Sequence, residues 1–243
     1  MAGTSIYSVY RRTARAAAKQ QVVKKTSVVD VERAREDFAY FCDVVGNKPP
    51  APHHKQWHKY LCTGESSGCL VGIAGPNIDI LAPRGSAKST VLGLFTAWSI
   101  GVHALKRMPL KILYISYTVD VARPKSAAIK RIIEENKIYK EIFPTVKIAK
   151  GINSNEYWSI DWKFAGIKST GEEEFSVCCA GLKGAVTSKR SHLCIIDDAI
   201  KSADDIKNRD IRQAMEDNWN AVIVPTMFEG GRAVCLGTRF RHD

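Results

Sequence analysis

One stretch constrains this chain more than any other: Ile78-Asp-Ile-Leu-Ala82, then Pro83-Arg-Gly-Ser-Ala-Lys-Ser-Thr90, then an uncharged run ending at Leu105. The first segment reads as a buried strand and the last as a helix, so the residues between them make a tight strand-to-helix turn. Backbone N–H groups at such a helix start, backed by a dipole of about half a charge, converge on one point and suit a phosphate. Lys88 then reaches toward β- and γ-phosphate oxygens, and the Ser89 hydroxyl suits Mg²⁺. The strict GxxxxGK[ST] pattern fails, because Ala82 and Ala87 occupy both glycine positions and only Gly85 remains within the loop. An alanine before the lysine fits if its φ is negative, so a negative φ is expected at Ala87. Taken alone, the segment also suits an ordinary strand-to-helix turn.

The context comes from His192-Leu-Cys-Ile-Ile-Asp-Asp198, an apolar strand ending in two carboxylates. Asp197 suits a Mg²⁺ shared with Ser89, and Asp198 suits the role of orienting or deprotonating an attacking water. A further strand, Ala233 to Leu236, runs into Gly237-Thr238-Arg239. A threonine at the carboxyl end of a parallel strand lies where sheet enzymes place ligands, so Thr238 is a candidate sensor of the γ-phosphate.

Short apolar runs alternate with helical ones along the rest of the chain. Strands are expected at 78–81, 111–116, 175–179, 193–196 and 233–236, and most are apolar throughout, as buried parallel strands are. Helices are expected at 31–45 (Ala34, Phe38, Phe41 and Val45 at helical spacing, Asp30 as N-cap), 53–61, 88–105, 121–136 with Pro124 in its first turn, and 209–223. Residues 150–174, rich in Gly, Ser, Asn and charge, read as a hairpin or surface excursion. The class is α/β, with a mainly parallel sheet flanked by helices. The prolines between Asn47 and Pro52 suggest a boundary near Pro49, dividing a basic arm and helix (1–48) from the main domain (49–243).

Lys and Arg number 36 against 25 Asp and Glu, a net +11, which suggests a polyanionic partner. Residues 1–29 hold Arg11, Arg12, Arg15, Lys19, Lys24 and Lys25 and no acid, so this arm suits a solvated terminus, a contact to nucleic acid or a partner, or, ranked last, a transit peptide. The longest uncharged stretch, Ser89 to Leu105, falls short of the ~20 residues that span a bilayer, so no membrane segment is expected. The seven cysteines form no CxxC pair and are expected as reduced thiols.

With the 82–90 loop, the 194–198 strand and Leu236-Gly-Thr-Arg239 in this order, the chain resembles the ATPase domain of large terminase subunits, the DNA-packaging motors of tailed double-stranded DNA bacteriophages. The resemblance covers roughly residues 49–243 and implies a P-loop NTPase fold of the RecA-like (ASCE) kind, with ATP and Mg²⁺ as ligands. It gives Pro83, Arg84, Gly85, Ser86, Ala87, Lys88, Ser89 and Thr90 to a deviant Walker A loop with an early arginine. Asp197 and Asp198 fall in Walker B, although the family often carries Glu at the second position, and Thr238 falls in the coupling motif. Gln56, in His54-Lys-Gln-Trp57, corresponds to an adenine-side glutamine. The implied partners are double-stranded DNA, a portal protein, a small terminase subunit and further copies of the chain in a ring, in the host cytoplasm at the procapsid portal vertex. A metal-dependent nuclease domain is expected downstream.

Two other readings stand beside this one. A superfamily 2 helicase or translocase needs a second RecA-like domain, and a catalytically inactive nucleotide-binding scaffold would explain Ala82, Ala87 and Asp198 as degenerate remnants. His54, His58 and Cys62 share one helical face, which suits either a packed surface or, less well, a metal. The loop 181–190, with Lys183, Lys189 and Arg190, suits a DNA or subunit contact or a solvated surface.

Overall fold

The computed structural model describes residues 29–47, 49–62, 76–169, 171, 173–182, 184, 189–200 and 207–238. The basic arm up to residue 28, Cys69, residues 183 and 185–188 of the 181–190 loop, and Arg239 lie outside the described residues. Val31–Asp243 cluster as one unit, and Pro49, the expected boundary, falls within it.

Among the described residues seven strands form one sheet: β1 (Ile78–Ala82), β2 (Ile112–Ser116), β3 (Ile148–Asn153), β4 (Tyr157–Ile160), β5 (Val177–Gly181), β6 (Ser191–Asp197) and β7 (Met227–Thr238). Their order is β1-β7-β6-β2-β5-β4-β3. The first five in that order pair in parallel, and β4 joins both β5 and β3 antiparallel. All five expected strands are present. The 150–174 region supplies the β3–β4 hairpin and a short helix, which turns a parallel sheet into a mixed one.

The helices are α1 (Val31–Glu36), α2 (Phe38–Gly46), α3 (Pro52–Leu61), α4 (Lys88–Leu105), α5 (Val119–Glu135), α6 (Lys137–Ile142), α7 (Trp162–Ala165) and α8 (Arg209–Asn218). Three expectations about them need correction. The single helix at 31–45 is divided at Asp37, whose carboxylate accepts the Tyr40 N–H at 3.1 Å and caps a second helix. A mid-segment Asp that bonds a backbone N–H three residues on starts a helix in preference to continuing one. Helix α5 begins two residues earlier than expected, because the Thr118 side chain caps it, so Pro124 sits beyond the first turn. There the ring leaves the Asp120 carbonyl without its helical donor. The segment expected as one helix over 209–223 changes to a π-helical turn at Trp219–Ile223.

Helix α4 is the central one, buried at nearly every position from Val91 to Ala104. Its Gly101 is required by packing, since a Cβ there would lie 2.4 Å from the Phe143 ring. Two polar tips within this core find backbone partners: Trp98 Nε1 donates to Ala34 O at 3.0 Å and Tyr139 OH to Ala97 O at 2.8 Å. These bonds tie α1 and α6 to α4, so the helices before Pro49 share the core of the sheet domain. The rigid scaffold fixes the start of α4 against the carboxyl ends of β1, β7, β6 and β2.

Candidate functional site

The carboxyl ends of the parallel strands meet at one edge. Ala82 pairs in register with Thr238, and Asp197 with Leu236, so one strand, β7, separates the 83–87 loop from the Asp197 strand. Ligands of open α/β sheets bind at this edge.

Within the loop, Gly85 has φ 81° and Ala87 has φ 59° with ψ 27°. The expectation of a negative φ at Ala87 is therefore overturned. The left-handed conformation belongs to the position where the strict motif has glycine, and alanine pays for it with strain of about 1–2 kcal/mol. The turn is closed by Ser86 Oγ donating to Pro83 O at 2.7 Å. No side chain caps α4, which leaves the amides of its first turn open to a ligand.

Lys88 is buried, and its ammonium donates to Ala82 O at 3.1 Å and Pro83 O at 3.0 Å, across the mouth of its own loop. The Ser89 hydroxyl donates to Asp197 Oδ1 at 3.0 Å, joining two residues 108 positions apart. Asp197 is fully buried, and its other oxygen accepts from Tyr114 OH at 2.8 Å and pairs with the Lys125 ammonium at 2.9 Å. Burial, reinforced by the carboxylate of Asp197, holds the Tyr114 phenol well above its ordinary pKa, so it remains a donor.

Asp198 has φ 49°, a conformation aspartate tolerates better than most residues. Its N–H donates to Leu236 O at 3.1 Å, and its Oδ1 accepts from Thr238 Oγ1 at 2.8 Å. Arg84, Lys88, Ser89, Asp198 and Thr238 all line one open cavity of about 620 Å³, together with Tyr117 and Thr118. Beyond Asp198 and Thr238 lies a second hollow of about 490 Å³, walled by Leu81, Ile196, Met215 and Trp219.

Gln56 is not among the residues brought together. It is exposed, its amide lies 3.5 Å from Tyr60 OH, and it lines a separate hollow with Trp57, Tyr60 and Asn77. Its neighbour His54 reaches the loop instead. The Ala51 N–H donates to His54 Nδ1 at 3.2 Å, so the proton is on Nε2, which donates to Ser86 O at 2.8 Å. His58 and Cys62 do not join His54 in a metal site. His58 packs on Phe38 with ring centroids 4.6 Å apart, and burial, with His54 second, lowers its pKa to about 4. Among the described residues no group of three His, Cys, Asp or Glu suits a metal ion.

Sequence reasoning missed Lys125 and Tyr114, and it did not place His54 against the 83–87 loop. Tyr114 sits in an apolar strand with nothing to mark its hydroxyl, and Lys125 resembles the other lysines of an amphipathic helix. The basic residues of the 181–190 loop that are described have intrachain partners: Lys189 pairs with Glu173, and the Arg190 guanidinium stacks 4.9 Å from the Phe228 ring centroid. No disulfide joins Cys42, Cys178, Cys179, Cys194 and Cys235, and burial pushes the Cys179 thiol up to about 11. No helix among the described residues is long and apolar enough to cross a membrane.

No protein-family model matches the chain, and no curated protein matches it. Among solved structures, the large terminase of bacteriophage HK97 is similar over 86% of this chain and 38% of its own length, at 15% identity and a TM-score of 0.46. The N-terminal domain of the DNA packaging ATPase of bacteriophage phi29 is similar over 68% of this chain and 73% of its own, at 16% identity and a TM-score of 0.37. The chain thus spans well under half of the HK97 protein.

Proposed function

We propose that this chain is a Mg²⁺-dependent ATPase that drives double-stranded viral DNA into a procapsid, as one subunit of a ring. The observation that carries the catalytic half of this reading is the convergence of the Lys88 loop, the Ser89–Asp197 contact and the Asp198–Thr238 pair on one cavity. A volume of about 620 Å³ suits a small-molecule ligand, for which pockets of ~300–1,000 Å³ are usual.

The open amides at the start of α4 hold the β-phosphate, and Lys88 exchanges its two carbonyl acceptors for β- and γ-oxygens. Ser89 and Asp197 present two hard oxygens 3.0 Å apart, which fit a magnesium ion. Bound there, the ion would neutralise charge on the β- and γ-phosphates. Asp198 orients a water for attack on the γ-phosphorus and takes its proton as the bond to the β–γ bridging oxygen breaks, giving ADP and phosphate. Thr238 holds Asp198 through its hydroxyl, so it is poised to register the presence of the γ-phosphate. Arg84 adds positive charge at the cavity mouth, either for its own nucleotide or for that of a neighbouring copy.

The DNA half of the reading is supported by the net charge of +11, the acid-free basic arm and the resemblance of the three sequence blocks to terminase motors. The portal protein and small terminase subunit follow from that resemblance. The deciding experiment is steady-state ATP hydrolysis with and without Mg²⁺ for the native chain and Lys88→Ala. Hydrolysis that needs Mg²⁺ and is abolished in the variant is expected. Near-native turnover by Lys88→Ala removes the phosphate-loop assignment, and a native chain that binds ATP without hydrolysing it is the inactive scaffold.

A further inference from the structure

Lys125 belongs to the site but has no part in the reaction just described. It follows Pro124 in α5 and stands beside the stripe Ala122, Ser126, Ile129 and Ile133 that faces the core. Its side chain is 20% exposed, and its ammonium lies 2.9 Å from Asp197 Oδ2, 3.1 Å from Asp197 O and 3.2 Å from Ser116 Oγ. An ammonium has three donors, and these three oxygens accommodate them. Asp197 in turn is fully buried and accepts on both oxygens, with the hydroxyls of Ser89 and Tyr114 as its other donors.

A fully buried carboxylate with no counter-charge is strongly disfavoured, and Lys125 is the cation paired with it here. That pairing has a consequence for the metal position. A divalent cation approaching Ser89 and Asp197 meets a carboxylate whose charge is already balanced, with an ammonium on its other oxygen repelling the newcomer. The phosphates of a nucleotide in the adjoining cavity supply the negative charge that is lacking.

We propose that Lys125 is a charge-balancing, positioning residue that makes the Ser89–Asp197 pair a poor divalent-cation site on its own, so that Mg²⁺ enters only together with nucleotide phosphates. This inference rests on the nucleotide site proposed above and adds to it the order in which charge must arrive.

The test is thermal unfolding of the full chain without nucleotide, in EDTA and across a Mg²⁺ titration. The native chain and Lys125→Arg should show little shift with Mg²⁺ alone and a clear one once ADP is present. Lys125→Met should melt lower in EDTA and be restored by Mg²⁺ alone, at a half-saturating concentration at least about tenfold below that of the native chain. The double variant Lys125→Met/Asp197→Asn, a neutral pair, should fold without responding to Mg²⁺. A Lys125→Met chain no more sensitive to Mg²⁺ than the native one overturns the proposal, as does a native chain stabilised equally by Mg²⁺ without nucleotide. If Lys125→Met fails to fold in EDTA, refolding on Mg²⁺ addition supports the inference, whereas no rescue while the double variant folds refutes it. These readouts use no hydrolysis. A chain that fails to hydrolyse ATP yet shows the Mg²⁺ response of Lys125→Met loses the ATPase reading and keeps this role for Lys125.

Discussion

Replacing Ala87 with glycine should stabilise this protein. Ala87 is exposed, caps nothing with its side chain and sits at φ 59°, ψ 27°. Removing its Cβ therefore sacrifices almost no buried surface and releases left-handed strain of about 1–2 kcal/mol. The added freedom of glycine in the unfolded chain returns about 0.4–1 kcal/mol of that gain. The net is a stabilisation of roughly 0.5–1 kcal/mol, or a rise in Tm of about 1–4 °C for a unit of this size. Gly85 supplies the opposite experiment within the same loop. Its φ is 81°, and a Cβ built there meets nothing within 4 Å, so Gly85→Ala incurs backbone strain without a steric clash. It should destabilise by a similar ~0.5–1 kcal/mol, since the strain exceeds the entropy recovered. Urea unfolding of the native chain and both variants at one pH reads the two signs directly. Opposite signs support the left-handed assignment at both positions. If Ala87→Gly lowers stability, or both variants shift the same way, the backbone argument is wrong.

Two further outcomes follow from the site and the core. Asp198→Asn keeps an oxygen for Thr238 and a residue tolerant of φ 49°, so ATP affinity should hold while turnover falls by roughly 10²–10⁴ if the carboxylate is the base. Equal losses of affinity and turnover, measured by nucleotide titration beside steady-state kinetics, would make Asp198 structural. His103 donates Nδ1–H to Ser99 O at 2.7 Å, and burial lowers its pKa from 6.5 to about 4. The folded state keeps it neutral while the unfolded chain takes up a proton, so its contribution is intact above pH 6.5 and lost as pH falls toward 4. Stability should then drop by about 1.4 kcal/mol per pH unit for each such proton, and His103→Leu should flatten that slope in urea unfolding between pH 6.5 and 5. An unchanged slope would place the acid sensitivity elsewhere.

Much of the site was legible because its parts are local. The strand, loop and lysine at 78–90 are contiguous, and the apolar run ending in Asp197 and Asp198 announces both a buried strand and an acidic terminus. The hairpin at 148–160 is indistinct in the sequence because its apolar alternation is weak. The break at Asp37 was masked by an apolar spacing that continues across it, and a competing side-chain cap decided the matter.

What the sequence determined by itself is therefore the parallel strands, the longer helices and the chemical groups at their ends. Hydrophobic period and capping chemistry act over a few residues and need no knowledge of the rest of the chain. Tertiary structure alone decided which ends meet. The order β1-β7-β6-β2 brings Ser89 to Asp197, and packing of α5 on the sheet delivers Lys125 to the same carboxylate. It also decided that His54 touches the 83–87 loop while Gln56 does not, since two residues along a helix, about 200° of rotation, turn one side chain toward Ser86 and the other away from it. The hand of the backbone at Ala87 was set in the same way. Alanine prefers negative φ, and the fixed separation between the end of β1 and the start of α4 imposes the opposite sign, because the packed core of α4 outweighs the strain at one exposed residue.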